Sequence, residues 1–397
     1  MPTLSSRIAR LSESQTIAMA RRSRELKDQG IDVINLSLGE PDFPTPDPIK
    51  KAAKKAIDDD FSHYTHVSGY LELRQAVAQK FKRDNNLDFD ADQIVVSTGA
   101  KQSIANAMLS LIDPGDEVIV PVPYWVSYAD IIKLAEGTAV FVEAGIEQNF
   151  KVTAAQLKKA ITPRTKVMIF SSPCNPTGSV YTKKELEEIA EVFAGYPDIY
   201  IIADEIYEYI NFTDNHFSIG TINSIKDRVI TVNGLSKAFA MTGWRVGYLG
   251  ASKEIAKACD KIQGQLTSAT CSIAQKAAYT GVLLDPAITY PMRDVFKKRR
   301  DKVLQLMKDI PGLKTNVPEG AFYVFPDITY YIGKSYNGTV IKNATDLCLY
   351  LLDNARVALV PGAAFGNDNY LRFSYSASED VLVEALKRMK ESLARLK

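Results

Sequence analysis

Apolar positions along the chain follow two different rhythms. From residue 93, short β-branched runs alternate with stretches of helical spacing. The runs are QIVVST, DEVIVP, TAVFVE, TKVMIF, IYIIADE and RVITVN. Helices are predicted between them over 101–112, 127–135, 153–161 and 182–194. A strand buried on one face alternates apolar and polar residues, whereas these runs are apolar almost throughout. They therefore predict a mostly parallel sheet covered on both faces, doubly wound by its crossover connections. Ahead of them, SQTIAMARRSRELKDQ reads as a helix over 14–29, stopped by Gly30. A short strand follows, then a loop broken by Gly39, Pro41, Pro44 and Pro46. Two more helices are predicted over 48–60 and 70–84. After about residue 285 the rhythm changes. A long charged helix over 285–310 leads into short strands (AFYVFP, ARVALVP, YLRFSYS), a helix near 344–353 and a last one from 378. The segment before Asp47 does not fit the repeating unit. The expected architecture is α/β, with a large domain over 47–284 and a smaller, discontinuous α+β domain over 1–46 plus 285–397.

Bulk composition narrows the partners. The chain has 397 residues, long enough for more than one domain. Lys+Arg is 48 against Asp+Glu 47, so no basic surplus points to nucleic acid or a membrane surface. No apolar run approaches the roughly 20 residues of a membrane span. The first residues have no apolar core of a signal peptide. Cys174, Cys259, Cys271 and Cys348 lack both CxxC spacing and the density of a disulfide framework, which reads as free thiols in a reducing compartment. The expectation is a cytoplasmic protein with neither nucleic acid nor membrane as a partner.

In open parallel sheets, ligands bind beyond the carboxyl ends of the strands. The residues following the apolar runs are therefore the candidates: STGAKQ, PYWVSY, SSPCNPTG, the end of IYIIADE, and NGLSK. Each has a plain alternative. Gly99 before a helix is ordinary turn chemistry, Trp125 fits a core, and Asn175-Pro176-Thr177-Gly178 fits a turn. Lys237 alone fits a solvated loop. Asp204 is harder to dismiss, because an acid closing an apolar strand needs a partner. His63 and His66 lack neighbouring ligands, so no metal site is predicted. The chain has no GxGxxG, no GxxxxGK[ST] and no GxSxG. An amine, a buried acid, an aromatic face and a helix start that can hold phosphate suit pyridoxal 5'-phosphate. That cofactor needs a lysine for its aldehyde, an acid for its ring nitrogen and a phosphate anchor.

SPCNPTG, IIADEIY, NGLSKAFAMTGWRVGYLGA and LRFSYS, in this order, resemble the class I aminotransferases of the aspartate aminotransferase family, fold-type-I enzymes dependent on pyridoxal phosphate. The likeness runs from Thr16 through LGEPDF to Arg372. PYWVSY and GAKQ, with no arginine for a distal carboxylate, resemble its Ib subgroup. The resemblance implies that Lys237 condenses with the cofactor aldehyde and afterwards moves a proton. Asp204 would pair with the ring nitrogen, Tyr207 and Asn175 with the ring hydroxyl, and Trp125 would stack on the ring. The amides of Gly99, Ala100 and Lys101, with Ser236 and Arg245, would hold the phosphate. Arg372 would grip the substrate α-carboxylate, helped by Asn175 and the Gly39 amide. Lys101 and Thr16 would meet a second carboxylate. Tyr64, in HYTHVSGY, matches a tyrosine that reaches the neighbouring subunit's phosphate, implying a homodimer with shared sites. Where the family has a proline soon after, this chain reads Thr65-His66-Val67, so a differently shaped loop is expected. The implied activity passes an amino group from an amino acid, aspartate or glutamate, to a 2-oxo acid in two half-reactions. Combined aspartate and prephenate use is one alternative, and a lyase or synthase on the same scaffold is another. A DNA-binding regulator would need an extension that residues 1–46 are too short and insufficiently basic to supply.

Overall fold

The computed structural model describes residues 4–11, 15–213 and 216–397, and for Gln15 and Thr16 the backbone alone. At its centre is a seven-stranded sheet. Its strands are β1 (Ile94–Ser97), β2 (Glu117–Val122), β3 (Thr138–Glu143), β4 (Thr165–Ser171), β5 (Tyr200–Asp204), β6 (Val229–Gly234) and β7 (Gly247–Gly250). The spatial order is β1-β7-β6-β5-β4-β2-β3. The run from β3 through β2, β4 and β5 to β6 is parallel. β7 is antiparallel to both β6 and β1.

The six apolar runs are six of these strands. β7 went unrecognised because GYLG has glycine at both ends and no β-branched residue, the reverse of a strand signal. Burial on both faces explains the others except β3, which lies at the sheet edge with Phe141 49% exposed, so the cover expected for TAVFVE is absent there. Val118 and Val120 pack into one layer with Ile104, Tyr128, Ile132 and Cys259, from helices Ala100–Leu111, Ser127–Leu134 and Lys253–Leu266. Ile119, between them, points to the opposite layer with Leu186, Ile189 and Phe193 of the helix Lys183–Ala194. That last helix starts on a reciprocal cap. Thr182 Oγ1 accepts the Glu185 amide at 3.3 Å, and Glu185 Oε2 accepts the Thr182 amide at 2.7 Å.

A second layer holds a three-stranded antiparallel sheet: β8 (Tyr323–Val324), β9 (Val360–Pro361) and β10 (Leu371–Ser374), in the order β9-β10-β8. Ile34–Asn35 pairs in parallel with Val357–Ala358. Met19, Leu26, Val33 and Leu36 share one apolar cluster with Phe296, Met307, Phe322, Leu351 and Phe373. The start of the chain thus packs with its end. The long helix expected from 285 begins later, at Tyr290, after a short 3-10 turn over Pro286–Thr289. Pro291 sits in its first turn, where a missing N–H costs nothing. Among the described residues, no helix is long and apolar enough to cross a membrane.

Candidate active site

A cavity of about 300 Å³ opens at the carboxyl edge of the large sheet. β1 leads into Ala100 and Lys101, β2 into Trp125, β4 into Asn175, β5 ends on Asp204 with Tyr207 next, and β6 leads into Ser236 and Lys237. All of these line the cavity. Because β7 runs the other way, it begins at the edge where its neighbours end. The connection over 235–246 therefore returns to that edge and brings Arg245 into the same lining. The second layer closes the far side with Gly39, Tyr323 and Arg372.

Two ionisable groups sit inside with pKa values pushed toward neutrality. Asp204 is only 5% exposed. Burial raises its pKa to about 6, against the pull of hydrogen bonds from Tyr128 and the Ile206 amide. Tyr128 donates to its Oδ2 at 2.7 Å. Lys237 donates from Nζ to the Gly39 carbonyl at 2.6 Å. Burial, then the nearby Arg372 charge, lowers its pKa to about 8. At neutral pH about one amine in ten is then uncharged, a few hundred times the share of an ordinary lysine. An uncharged amine is a nucleophile toward a carbonyl and a proton acceptor.

One wall suits a phosphate. The helix Ala100–Leu111 starts at Gly99 with no side-chain cap, which leaves the Ala100 and Lys101 amides to an anion. Gly99 has φ +86°, and a Cβ there would clash with the Arg245 guanidinium. Only glycine lets that cation lie over the turn. Arg245 is held by the Thr242 carbonyl at 2.9 Å. Lys101 Nζ lies 5.1 Å from the centroid of the Trp125 ring. Burial, with Arg245 beside it, lowers the Lys101 pKa.

The opposite wall suits a carboxylate. Arg372 is 2% exposed, on β10. It donates from Nη1 to Asn175 Oδ1 at 3.0 Å and from Nη2 to the Ser37 carbonyl at 2.6 Å. Its guanidinium stacks 4.5 Å from the Tyr323 ring centroid. Nε is buried without a partner, and no carboxylate pairs with Arg372 among the described residues. A buried guanidinium in that condition is matched by a carboxylate ligand. An amine, an acid, an anion cradle and a carboxylate grip thus surround one cavity, and the donor set fits pyridoxal phosphate with an amino acid.

Residues 31–389 match the family described as aminotransferase class I and II. The chain belongs to that family. This aminotransferase is 46% identical over 397 residues to a probable aspartate/prephenate aminotransferase of Rickettsia felis, covering 99% of this chain and 97% of the relative. It is 44% identical to a bifunctional aspartate aminotransferase and glutamate/aspartate-prephenate aminotransferase of Petunia hybrida, covering 100% of this chain and 84% of that protein. The crystal structure of the aspartate aminotransferase from Rhizobium meliloti superposes with a TM-score of 0.96 at 40% identity, with both chains fully covered. The Thermus thermophilus aspartate aminotransferase with maleate gives 0.93 at 38%, covering 99% of this chain and all of that one.

Three sequence-derived candidates stand apart from the cavity lining, the first being Gly99, whose amide donates to the Ser97 carbonyl at 2.7 Å and not toward the cavity. Tyr64 is 98% exposed and outside the lining of its own chain. The Thr16 side chain lies outside the described residues, while its neighbour Ile17 borders the cavity. Gly39 holds Lys237 through its carbonyl, whereas the sequence reading assigned its amide to substrate. The reading also missed Tyr128 and Tyr323. Tyr128 offered as a signal only its nearness to Trp125, which lies just before the helix Ser127–Leu134. Tyr323 had none, being one aromatic within the apolar run AFYVFP.

Behind Asp204 this aminotransferase carries a buried ionic network. Glu205, Glu208 and His216 have ligand atoms within 4.8 Å of one another. Lys80 is ion-paired with Glu208 and donates to Asn85 Oδ1 at 2.6 Å, so a cation already serves that carboxylate. His216 Nε2 lies 2.9 Å from Glu205 Oε2. Burial disfavours a charged His216, but Glu205 and Glu208 outweigh it and its pKa is raised, with Lys80 opposing. A raised folded pKa means stability that is fully present below the unfolded value, about 6.5, and lost as pH rises through the folded one. His216→Ala should therefore cost about 1–3 kcal/mol at pH 6, the scale for unpairing a buried group. The deficit against wild type should shrink by pH 9. Urea unfolding of both proteins across that range measures it, and a constant deficit would show that His216 carries no charge there.

Proposed function

We propose that this aminotransferase uses pyridoxal 5'-phosphate and acts on aspartate and glutamate as a homodimer. The observation that carries the reading is the pairing, in one cavity, of an amine with lowered pKa and an acid with raised pKa between a phosphate cradle and a carboxylate grip. When bound, the cofactor supplies an aldehyde that accepts the amino group and a ring that draws electrons from the substrate α-carbon. The chain's own groups do the rest. The amides of Ala100 and Lys101, with Ser236 and Arg245, would hold the phosphate, while Gly99 keeps the turn open and its own amide on the Ser97 carbonyl. Asp204 holds a proton at the ring nitrogen, oriented by the Tyr128 hydroxyl. Asn175 and Tyr207 would bind the ring hydroxyl, and Trp125 would cover a ring face. Arg372 holds the α-carboxylate bidentately, with Asn175 beside it. The Lys237 amine would take the proton from the substrate α-carbon and hold it for the return transfer. Tyr64, exposed on its own chain, reads as the residue offered to a partner's phosphate. The packing of the N-terminal segment with the C-terminal layer supports a discontinuous small domain over 1–46 plus 285–397, which carries Arg372 and closes on the large one.

Dicarboxylate preference rests on Lys101 and Thr16. Arg372 is committed to one carboxylate, and a second one buried unpaired is costly. Lys101 lines the cavity on the opposite wall. The Thermus structure with maleate, itself a dicarboxylate, supports this. Lys101→Ala should cost about 2–4 kcal/mol in transition-state binding for aspartate and much less for alanine or phenylalanine. The ratio of kcat/KM for aspartate over alanine, in wild type and variant, tests it. An unchanged ratio removes the dicarboxylate reading. Prephenate also has two carboxylates and appears in the names of the Rickettsia and Petunia relatives, so the same pair favours it as a second amino acceptor.

A further inference from the structure

We infer that Tyr323 is a positioning residue that joins the carboxylate grip of Arg372 to the cofactor-facing hydroxyl of Tyr207. This rests on the function proposed above and adds a residue that the motifs do not mark.

Tyr323 opens β8 and is fully buried. It pairs with Ser374 on β10, so Arg372, two residues before Ser374, projects on the same face of the sheet diagonally from it. That register sets the Tyr323 ring against the guanidinium, 4.5 Å from centroid to Cζ. The hydroxyl at the other end of the ring reaches across the cavity. It lies 2.8 Å from the Tyr207 hydroxyl, and among the described residues neither phenol has another hydrogen-bond partner. The same oxygen packs against Gly39, where a Cβ would clash with it. Gly39 is the residue whose carbonyl holds Lys237. One side chain therefore touches the loop that carries the amine's acceptor, the Tyr207 hydroxyl and the Arg372 guanidinium.

The chemistry of a phenol pair gives this a direction. Each hydroxyl has one proton. If Tyr207 spends its proton on an oxygen of the bound cofactor, the bond between the two phenols must be donated by Tyr323. A donor behind Tyr207 polarises its O–H and makes it a better donor in turn. Phenylalanine keeps the ring beside Arg372 and removes only the hydroxyl. Alanine removes both.

The experiment uses cofactor-loaded wild type, Tyr323→Phe and Tyr323→Ala. Two quantities are read: the midpoint of the pH titration of the visible absorbance, and the dissociation constant of maleate. Tyr323→Phe should move the midpoint up by about half to one pH unit, because Tyr207 then stabilises an oxyanion less well. Its maleate affinity should stay within about twofold, since the stack on Arg372 survives. Tyr323→Ala should weaken maleate roughly tenfold or more as that stack is lost. A Tyr323→Phe midpoint that is unchanged or lower overturns the inference on the Tyr207 side. Maleate binding to Tyr323→Ala at wild-type strength overturns it on the Arg372 side, and if that variant does not fold, the Tyr323→Phe titration decides alone. A wild type with no pH-dependent visible band sinks the cofactor reading and this inference with it, an outcome distinct from a normal wild type with a silent Tyr323→Phe.

Discussion

Lys237→Ala should fold normally and turn over at least about four powers of ten more slowly than wild type. Two contributions disappear together. Positioned proton transfer is worth roughly 10²–10⁴-fold, and covalent assistance by the amine adds to it. The fold should survive because Lys237 belongs to the connection between β6 and β7 and to none of the apolar clusters. Its loss frees the Gly39 carbonyl, which faces the cavity and can bind water. Lys237→Arg should be nearly as inactive, since a guanidinium stays charged at any working pH while the native amine sits near pKa 8. Turnover with aspartate and 2-oxoglutarate, beside far-ultraviolet circular dichroism, decides the matter. Activity within tenfold of wild type would end the assignment. The same variant tests the dimer. Mixed with Tyr64→Ala, it should recover about a quarter of wild-type activity, because in hybrids one of the two shared sites has both residues intact. No recovery after unfolding and remixing would leave Tyr64 without its proposed role.

Asp204→Ala should lose cofactor on dilution and slow α-proton removal by roughly 10²–10³-fold, the scale for removing one preorganised electrostatic partner. Asp204→Glu should lose much less, because the charge remains. Equal damage from both would exclude charge pairing. The stability effect should run the other way. The folded pKa of about 6 lies above the ordinary value of 3.8, so the folded cofactor-free protein binds the extra proton between those values. Its stability therefore falls as pH rises from about 4 to 6, and the ionised acid is a standing cost at neutral pH. Asp204→Asn removes that cost and keeps a partner for Tyr128. At pH 7 the cofactor-free variant should gain about 2–3 kcal/mol, a gap that closes below pH 4. Denaturant unfolding of the cofactor-free forms measures this. A less stable Asp204→Asn at pH 7 would mean that Asp204 is stabilised by contacts beyond Tyr128 and Ile206.

Much of this protein is legible in the order of its residues. Apolar runs such as IVVS and EVIVPV are buried at every position, so local composition alone specifies strands covered on both faces. Strands in a parallel sheet share a carboxyl edge, and that rule alone gathers Lys101, Trp125, Asn175, Asp204 and Lys237 from the sequence. What lay beyond reach depends on contacts between distant residues. β7 is short and glycine-rich because its neighbours come too close for side chains, Gly234 against Gly247 among them, so packing and not propensity makes it a strand. Its reversed direction is what returns Arg245 to the cavity wall. Tyr323 and Arg372 meet through a register between two short strands, and Tyr128 reaches Asp204 across 76 positions of chain. The pKa values of Lys237 and Asp204 are likewise tertiary properties. Sequence supplies the amine and the acid, but only removal from water in a shared cavity moves one down and the other up toward the pH at which both can work.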